Sequence, residues 1–241
     1  MLQFETASTD IAPNAYAGQD AESAQALQVH GLENLLLGLP LQRRRLRAGQ
    51  HVFRSGQPRN ALYLVHAGFF KTAVCSTDGR EKITGFQLRG DLLGLDALDM
   101  RTYACDAVAL DVGEIWELPH VCMSAQVPEL QERITAMLAS AIRRDWNWML
   151  VFGTLSAQQR VIAFLLDLAD RLHALGFSAH RLLLRMTRAD LGSFLALKLE
   201  TVTRALSDLQ SRGLIGVERR EILINDSAAL RAMMQGTQRF H

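Results

Sequence analysis

Residues 187–213 read TRADLGSFLALKLETVTRALSDLQSRG, and this stretch predicts two short helices separated by a tight break. Thr187 is placed to cap the first helix, because its hydroxyl can accept a hydrogen bond from a backbone amide of the first turn. The break falls around Leu197 and Lys198, and Gly213 is placed to end the second helix. The pattern is typical of a helix-turn-helix, but an ordinary helical hairpin with a charged, solvated face also fits it.

The exposed side of the second predicted helix carries side chains suited to DNA bases. Apolar residues at helical spacing mark the buried side. The opposite side carries Glu200, Thr203, Arg204 and Ser207. An acid, a hydroxyl and an arginine near a helix N-terminus suit the base edges of a DNA major groove. We therefore predict a DNA-reading helix, with Thr187, Arg188 and Lys198 as further DNA contacts.

Composition describes an ordinary globular protein without an overall basic character. The 241 residues are 49% hydrophobic and 21% charged, with a net charge of +1. This length suffices for one large domain or two modest ones. Nucleic-acid binding therefore needs a local cluster of positive charge. Residues 181–220 supply one, because they hold eight Lys and Arg residues against four Asp and Glu residues.

The chain carries no signal for a membrane or an oxidising compartment. Its apolar runs fall short of the roughly 18 residues that a membrane helix needs. The N-terminus lacks the basic start and apolar core of a secretory signal. The three cysteines, Cys75, Cys105 and Cys122, are too widely spaced for a disulfide framework or a CxxC metal site. We expect a cytoplasmic protein.

The first half of the chain predicts a β domain. Residues 1–28, with few large apolar residues, are interpreted as a mobile arm. From about residue 43 to 120, short strand-like pieces alternate with glycine turns, and Asp78-Gly79 marks a hairpin. Roughly eight short strands without intervening helices indicate an antiparallel barrel or jelly roll. We assign residues 29–127 to this β-roll domain.

A long helix is predicted over residues 128–153. Its apolar residues recur at alternating steps of three and four, which is the pattern of a coiled-coil seam. The seam consists of Ile134, Leu138, Ile142, Asp145 and Met149, and continues to Phe152. Such a stripe can also pack on the barrel, but its length favours a dimerisation helix. Asp145 is anomalous, because two carboxylates facing each other across a two-fold axis oppose association.

Residues 154–241 predict a winged helix-turn-helix domain. Ser156 can cap a new helix, which is followed by a strand at 181–185 and by the two helices described above. Two short strands, 215–218 and 221–224, then form a hairpin with Arg219 and Arg220 at its tip. A basic hairpin in this position is a wing that can reach phosphates. The predicted fold class is therefore α+β.

This order of elements resembles the CRP/FNR family of transcription regulators, and is most similar to the FNR branch. The resemblance covers about residues 40–230 and is carried mainly by residues 79–98, GREKITGFQLRGDLLGLDAL, and 186–204, MTRADLGSFLALKLETVTR. It implies a jelly roll like that of cyclic-nucleotide-binding domains, a dimerisation helix and a winged helix-turn-helix. The expected protein is a homodimeric, sequence-specific DNA-binding regulator that recruits or blocks RNA polymerase, and not an enzyme.

The resemblance assigns base-reading roles to Glu200, Thr203 and Arg204. Leu199 stands where the cyclic-AMP receptor branch has a base-reading arginine, so we expect an FNR-type half-site, TTGAT-like and repeated as an inverted pair. The resemblance also places a candidate RNA polymerase contact on residues 77–81, with residues 111–114 as a second candidate. Both are polar turns, and plain solvated loops are the alternative interpretation.

The departures from the family concern the sensor. FNR proteins hold a [4Fe-4S] cluster through cysteines in the N-terminal arm and one in the barrel. Residues 1–74 here contain no cysteine, and Trp116 stands at the barrel position, so we expect no iron-sulfur cluster. Cyclic-AMP binding is not expected either, because Gly94 is followed by Leu95 where that branch has glutamate. Asp145 aligns with the acid that discourages dimerisation in FNR, which leaves a constitutive dimer or an unknown signal.

Two alternatives for the sensor stay open. A haem ligated by one of the histidines, as in nitric-oxide sensors of the family, is not excluded, although structural roles are favoured for His30, His51, His66 and His120. The barrel can instead bind a small molecule, with Phe86, Leu88, Leu93, Leu95 and Trp116 as candidate lining residues. Any role for the three cysteines is open, and no catalytic motif is present in the sequence.

Overall fold

The computed structural model describes Leu36, residues 41–119 and residues 128–235. The predicted arm at 1–28 and Cys122 lie outside the described residues, as do His30 and His120. The predicted domains are 29–127, 128–153 and 154–241, and those of their limits that lie outside the described residues stay predictions. No helix among the described residues is long and apolar enough to cross a membrane.

Within the described ranges, eight antiparallel strands form a β-roll of two four-stranded sheets, which confirms the predicted β domain of the fold class. The strands are β1 (Gln42–Leu46), β2 (His51–Phe53), β3 (Ala61–Ala67), β4 (Phe70–Cys75), β5 (Glu81–Gln87), β6 (Leu92–Leu93), β7 (Asp106–Ala109) and β8 (Gly113–Pro119). One sheet has the order β1-β8-β3-β6 and the other β2-β7-β4-β5. Strand β5 is therefore an edge strand, as are β1, β2 and β6.

Glycine turns close this roll. At the β4–β5 hairpin Gly79 has φ +82°, the left-handed conformation that glycine adopts without steric cost. Between β3 and β4, a Cβ on Gly68 would lie 2.6 Å from the Cα of Gly113, so only glycine permits this approach to β8. Inside the roll, Phe53 stacks on Tyr103 with ring centroids 3.8 Å apart.

Helix α1 (Pro128–Thr154) follows the barrel and packs on it with its first half. Leu130 and Ile134 are buried against Leu62, Leu64 and Leu118 of the barrel. The second half of α1 turns an apolar side to solvent. The same helix thus has one side covered by its own chain and another side free.

The C-terminal domain is a winged helix-turn-helix. It consists of α2 (Ala157–Ala174), β9 (Arg181–Leu183), α3 (Arg188–Leu195), α4 (Leu199–Ser211), β10 (Ile215–Glu218), β11 (Glu221–Ile224) and α5 (Ser227–Gln235). The three strands pair antiparallel in the order β10-β11-β9. As predicted, Ser156 caps α2, and its capping box with Gln159 includes a 3.0 Å hydrogen bond from the Ser156 amide to the Gln159 side chain.

The two domains and helix α1 share one hydrophobic cluster. Phe86 of the barrel contacts Phe164 of α2 and Phe194 of α3, with ring centroids 5.7 and 5.3 Å apart. Trp148 of α1 meets the same Phe194 edge-on at 4.7 Å. Because these rings come from all three parts of the chain, the DNA-binding domain rests directly on the barrel and on α1.

Candidate nucleic-acid interface

The helix-turn-helix begins at a capped N-terminus. The amide of Asp190 donates to the Thr187 hydroxyl at 3.0 Å, and the Thr187 amide donates back to the Asp190 carboxylate at 2.9 Å. The turn after α3 passes through Ala196, whose φ is +55°. At Gly192, a Cβ would lie 2.8 Å from the Leu197 carbonyl oxygen, so the close packing of α3 on the turn requires glycine.

Helix α4 presents the predicted reading residues together on one exposed side. Val202, Leu206 and Leu209 are fully buried, which holds the helix against its domain. Glu200, Arg204 and Ser207 are exposed, and Thr203 is half-buried. Within the described part of the chain, the side chains of Glu200 and Arg204 have no hydrogen-bond or ion-pair partner, so both charged groups are free to contact base edges.

Basic and polar groups flank this helix at places suited to phosphate contact. Lys198 is the N-cap residue of α4 and is exposed. Thr187 and Arg188 lie at the start of α3, with Thr187 exposed and Arg188 half-buried. Arg219 forms the wing tip in the left-handed conformation, with φ +55°, and both it and Arg220 are exposed. The basic groups among them place positive charge at the start of α4, on the helix before it and on the wing after it.

A second exposed surface runs along α1, and it matches the predicted seam only in part. Ile134 is buried on the barrel and Leu138 is half-buried. The apolar residues exposed to solvent are Ile142 (41%), Trp146 (62%), Met149 (61%) and Leu150 (46%). We call these four residues the α1 stripe. Trp146 and Leu150 are additions to the predicted seam, and their spacing of four and eight from Ile142 marks them as its neighbours.

Asp145 lies beside the α1 stripe and is exposed. Partial burial raises the pKa of its carboxyl group, and the charge of Arg144 only partly offsets this. Phe152, the last residue of the predicted seam, points inward, where its ring lies 5.8 Å from that of Trp148 and 5.9 Å from that of Phe194. A seven-residue period alone does not distinguish the apolar residues that pack within the same chain from those that stay exposed to solvent.

A buried carboxylate joins the barrel, α1 and the DNA-binding domain. Asp91 accepts hydrogen bonds from the Leu88 amide at 2.8 Å, from Arg144 of α1 at 3.2 Å and from Arg171 of α2 at 2.5 Å. Burial by itself would raise the pKa of Asp91, but the charges of Arg144 and Arg171 hold it below its ordinary value. Asp91 is therefore a charged junction between three parts of the structure.

A cavity of about 440 Å³ lies next to this junction. Its walls come from the barrel, α1 and the DNA-binding domain, and include Thr84, Phe86, Leu93, Leu95, Trp148, Phe164, Arg171 and Phe194. Three of the five lining residues predicted from the sequence are among them. Leu88 and Trp116 are not, and Trp116 instead stacks on His66 with ring centroids 4.4 Å apart.

The chain does not fit the iron-sulfur cluster of FNR proteins. A [4Fe-4S] cluster takes four thiolates, whereas the sequence contains three cysteines. Cys105 is buried, and burial followed by the charge of Asp96 raises the pKa of its thiol, which opposes thiolate formation. The part of the chain that the structure describes contains no cluster of three or more metal-ligating side chains.

Neither of the two haem candidates that the structure describes reaches the cavity. His51 and His66 are the predicted haem candidates within the described ranges, and neither belongs to the cavity lining. His51 instead lies 3.7 Å from the Asp106 carboxylate. His66 stacks on Trp116.

The candidate polymerase surfaces differ in how far their side chains are exposed. Residues 77–81 are all exposed, although Asp78 pairs with Arg80 at 2.7 Å and Glu81 with Lys71 at 3.2 Å. In the second candidate, Asp111 pairs with Arg185, and Glu114 accepts from Arg45 at 3.3 Å and from Trp116 at 3.2 Å. Acids are thus engaged within the chain at both candidates, and those of the 111–114 turn are in addition half-buried.

Comparison with known proteins identifies the class. Residues 43–127 match the cyclic nucleotide-binding domain, and residues 159–233 match the Crp-like helix-turn-helix domain. The transcriptional activator protein Anr of Pseudomonas aeruginosa is 36% identical over 196 residues, which cover 80% of each chain. The anaerobic regulatory protein of Pasteurella multocida is 37% identical over 77% of this chain and 69% of its own length.

The structural comparison agrees. FixK2 from Bradyrhizobium japonicum has a TM-score of 0.73 and 28% identity, over 80% of this chain and 97% of that one. The chain belongs to the CRP/FNR family of transcription regulators, and its helix-turn-helix is a DNA-binding domain. Its relatives are regulators, so it is not an enzyme.

Proposed function

We propose that the chain works as a homodimer that reads a TTGAT-like inverted repeat and activates transcription by contacting RNA polymerase. The observation that carries this proposal is the exposed side of α4, where Glu200 and Arg204 are held without partners among the described residues. The relatives named as transcriptional activators support the direction of regulation. The α1 stripe supplies the surface for association.

The proposed base contacts follow from the chemistry of the side chains. Arg204 donates two hydrogen bonds to guanine, Glu200 accepts from the amino group of cytosine, and Thr203 offers a hydroxyl and a methyl group. Each good contact of this kind contributes about 1–3 kcal/mol of discrimination between bases. Leu199 is 46% exposed at the first position of α4 and contributes no hydrogen bond there.

The proposed dimer places two copies of the α1 stripe against each other. Its apolar side chains are about half exposed, and each Å² of their surface that the dimer removes from water stabilises the dimer by about 25 cal/mol. In such a dimer a two-fold axis between the two α1 helices relates the two reading helices, as an inverted repeat with half-sites about one helical turn apart requires. Asp145 works against this association while it is charged.

Sedimentation tests the dimer directly. We expect the parent chain to sediment as a dimer and Met149→Lys to shift it towards monomer, because two buried lysines would face each other across the axis. Phe177→Lys is the matched control, since Phe177 is also an apolar residue, 60% exposed, but lies outside α1. Equal sedimentation of the two variants would remove the α1 stripe as the interface.

For the polymerase contact we favour the β4–β5 hairpin. Residues 77–81 are all exposed, whereas Asp111 and Glu114 of the second candidate are half-buried; acids are paired within the chain in both candidates. Replacing Thr77 with alanine is expected to lower transcription in a reconstituted assay without changing DNA affinity. Loss of both, or of neither, would exclude this hairpin.

A second candidate function, effector binding to the β-roll, rests on the 440 Å³ cavity that the barrel forms together with α1 and the DNA-binding domain. This volume lies within the range of small-molecule sites. We propose that neither an iron-sulfur cluster nor cyclic AMP is the effector, since three cysteines are too few and Leu95 replaces the glutamate of the cyclic-AMP receptors. An absorption spectrum of anaerobically purified protein tests this, and we expect no bands in the visible region. A Soret band would show a haem, and the broad visible absorption of an iron-sulfur cluster would show that the chain holds one.

A further inference from the structure

The edge of the barrel is attached to the first helix of the helix-turn-helix through β5. The Lys82 ammonium group donates to the Ser193 carbonyl and, at 3.0 Å, to the Phe194 carbonyl. The next residue of the strand, Ile83, donates its amide to the Ser193 hydroxyl at 3.0 Å. An edge strand has free backbone donors, and here one of them binds the DNA-binding domain of the same chain.

The carbonyls at the C-terminus of α3 receive positive charge from two directions. Besides Lys82 from the barrel, Arg160 of α2 donates to the Leu195 carbonyl at 3.3 Å and to the Phe152 carbonyl of α1 at 2.7 Å. Cations suit a helix C-terminus because the last carbonyls lack helical partners. Lys82 also lies 5.6 Å from the centroid of the Phe152 ring. Barrel, α1 and α2 thus converge on one end of α3.

A second barrel lysine holds the other end of the same helix. Lys71 of β4 lies 2.8 Å from the carboxylate of Asp190. Asp190 is the residue that forms the capping box with Thr187. Side chains of the Lys71–Asp190 pair are only 18% and 15% exposed, so water screens the contact weakly. Two attachments at opposite ends fix the direction of a helix, whereas one attachment leaves it free to pivot.

These attachments leave the reading side of α4 exposed, so they do not block DNA. Glu200, Arg204 and Ser207 stay accessible while Lys82 and Lys71 are engaged. We propose that Lys82, assisted by Lys71, is a positioning residue that sets the angle of the helix-turn-helix to α1 and thereby selects the spacing between the two half-sites. This inference rests on the proposed homodimer and inverted repeat.

Binding of the full chain to a series of DNA duplexes tests the role. Each duplex carries the TTGAT-like inverted repeat, with the spacer at its preferred length or changed by one or two base pairs, and one further duplex carries a single half-site. We compare the parent chain with Lys82→Met, Lys82→Arg and Ser193→Ala. Arg47→Met is the control for loss of one positive charge, since Arg47 is an exposed residue of the barrel.

We expect Lys82→Met to lower the preference for the best spacer over its neighbours at least about tenfold, the lower end of the effect of losing one charge-assisted hydrogen bond. Ser193→Ala should also lower this preference. Lys82→Arg keeps the positive charge and should keep the preference, and Arg47→Met should show the same spacer preference as the parent chain. Affinity for the single half-site should be equal in Lys82→Met and Arg47→Met.

An unchanged spacer profile in Lys82→Met overturns the positioning role alone. An equal loss on the half-site and on every repeat, beyond that of Arg47→Met, also overturns it, because Lys82 would then act on DNA or on folding. A parent chain that binds every spacer alike refutes the inverted repeat itself, and the positioning role with it.

Discussion

Replacing Asp91 with asparagine tests the charged junction between the barrel, α1 and the DNA-binding domain. The carboxylate accepts hydrogen bonds from Arg144, Arg171 and the Leu88 amide. Asparagine has nearly the same shape but no charge, so the substitution leaves two guanidinium groups facing a neutral amide. The charge of Arg171 is destabilised most, because its side chain is only 10% exposed and water cannot replace the lost carboxylate.

The size of the effect follows from burial. Removing one partner of a buried ion pair costs about 3–5 kcal/mol. Arg144 is 27% exposed and can turn towards water, which favours the lower end, about 3 kcal/mol. In a chain of this size each kcal/mol lowers the unfolding midpoint by about 2–4 °C, so we expect a decrease of about 6–12 °C.

Thermal unfolding followed by circular dichroism measures this decrease. Asp111→Asn is the matched control, because Asp111 pairs with Arg185 but both side chains are more than a third exposed, at 35% and 38%. We expect the control to change stability by less than about 1 kcal/mol. If Asp91→Asn unfolds at the same temperature as Asp111→Asn, the junction does not join the domains as described.

Protonation of Asp91 at acid pH should remove the stability that its charge contributes. The folded-state pKa of Asp91 lies below its ordinary value, so its stabilisation is present above the unfolded pKa of about 3.9 and is lost as pH falls through the folded value. The difference in stability between the parent chain and Asp91→Asn should therefore shrink below about pH 4. A difference that stays constant down to pH 2 would contradict the assignment.

Three further substitutions test other parts of the account. Asp145→Ala should raise the dimer fraction at pH 7 and abolish the rise that the parent chain shows as acid protonates the carboxyl group, whose pKa is raised; sedimentation of both chains from pH 7 down to about pH 4, the ordinary pKa of aspartate, measures this, and unchanged dimer fractions remove Asp145 as a control point. Arg219→Ala should weaken binding to all DNA sequences alike and lower the salt slope by about 1, the loss of one phosphate contact; a sequence-dependent loss would make Arg219 a base contact. Thr187→Ala should lower stability by about 1 kcal/mol through loss of the helix cap, and an unchanged urea midpoint would show that the cap is dispensable.

Local chemistry explains which features the sequence predicted well. The Thr187 cap, the Asp78-Gly79 hairpin turn and the two-stranded wing each depend on residues within a few positions of one another. Signals of this kind act through backbone geometry and short-range hydrogen bonds, so they can be identified without knowing the rest of the fold.

The periodic seam of α1 was predicted less completely. Its spacing marks apolar residues but not their partners, so Ile134 and Phe152 entered the seam although barrel and aromatic contacts cover them. Trp146, which the predicted seam does not include, is 62% exposed in the α1 stripe. Helical period is a property of one element, whereas burial depends on all elements that meet it.

Contacts between distant parts of the chain were not predicted at all. Lys71 and Asp190 are 119 positions apart, and Lys82 and Ser193 are 111 positions apart. A lysine on a strand and a serine in a helix carry no local sign of each other. These contacts depend on the docking of two folded domains, which only the three-dimensional structure supplies.

The central claim is that α4 reads DNA bases through its exposed polar side, and Arg204 tests it most directly. Arg204→Ala is compared with Arg212→Ala; Arg212 is the C-cap residue of the same helix, and its guanidinium lies 3.8 Å from the Asp208 carboxylate. The measurement is binding to the inverted repeat with guanine in each half-site, and to repeats with that guanine replaced. We predict that Arg204→Ala loses about 1–3 kcal/mol of preference for guanine at that position, while Arg212→Ala keeps it. Full preference for guanine in Arg204→Ala would contradict the account.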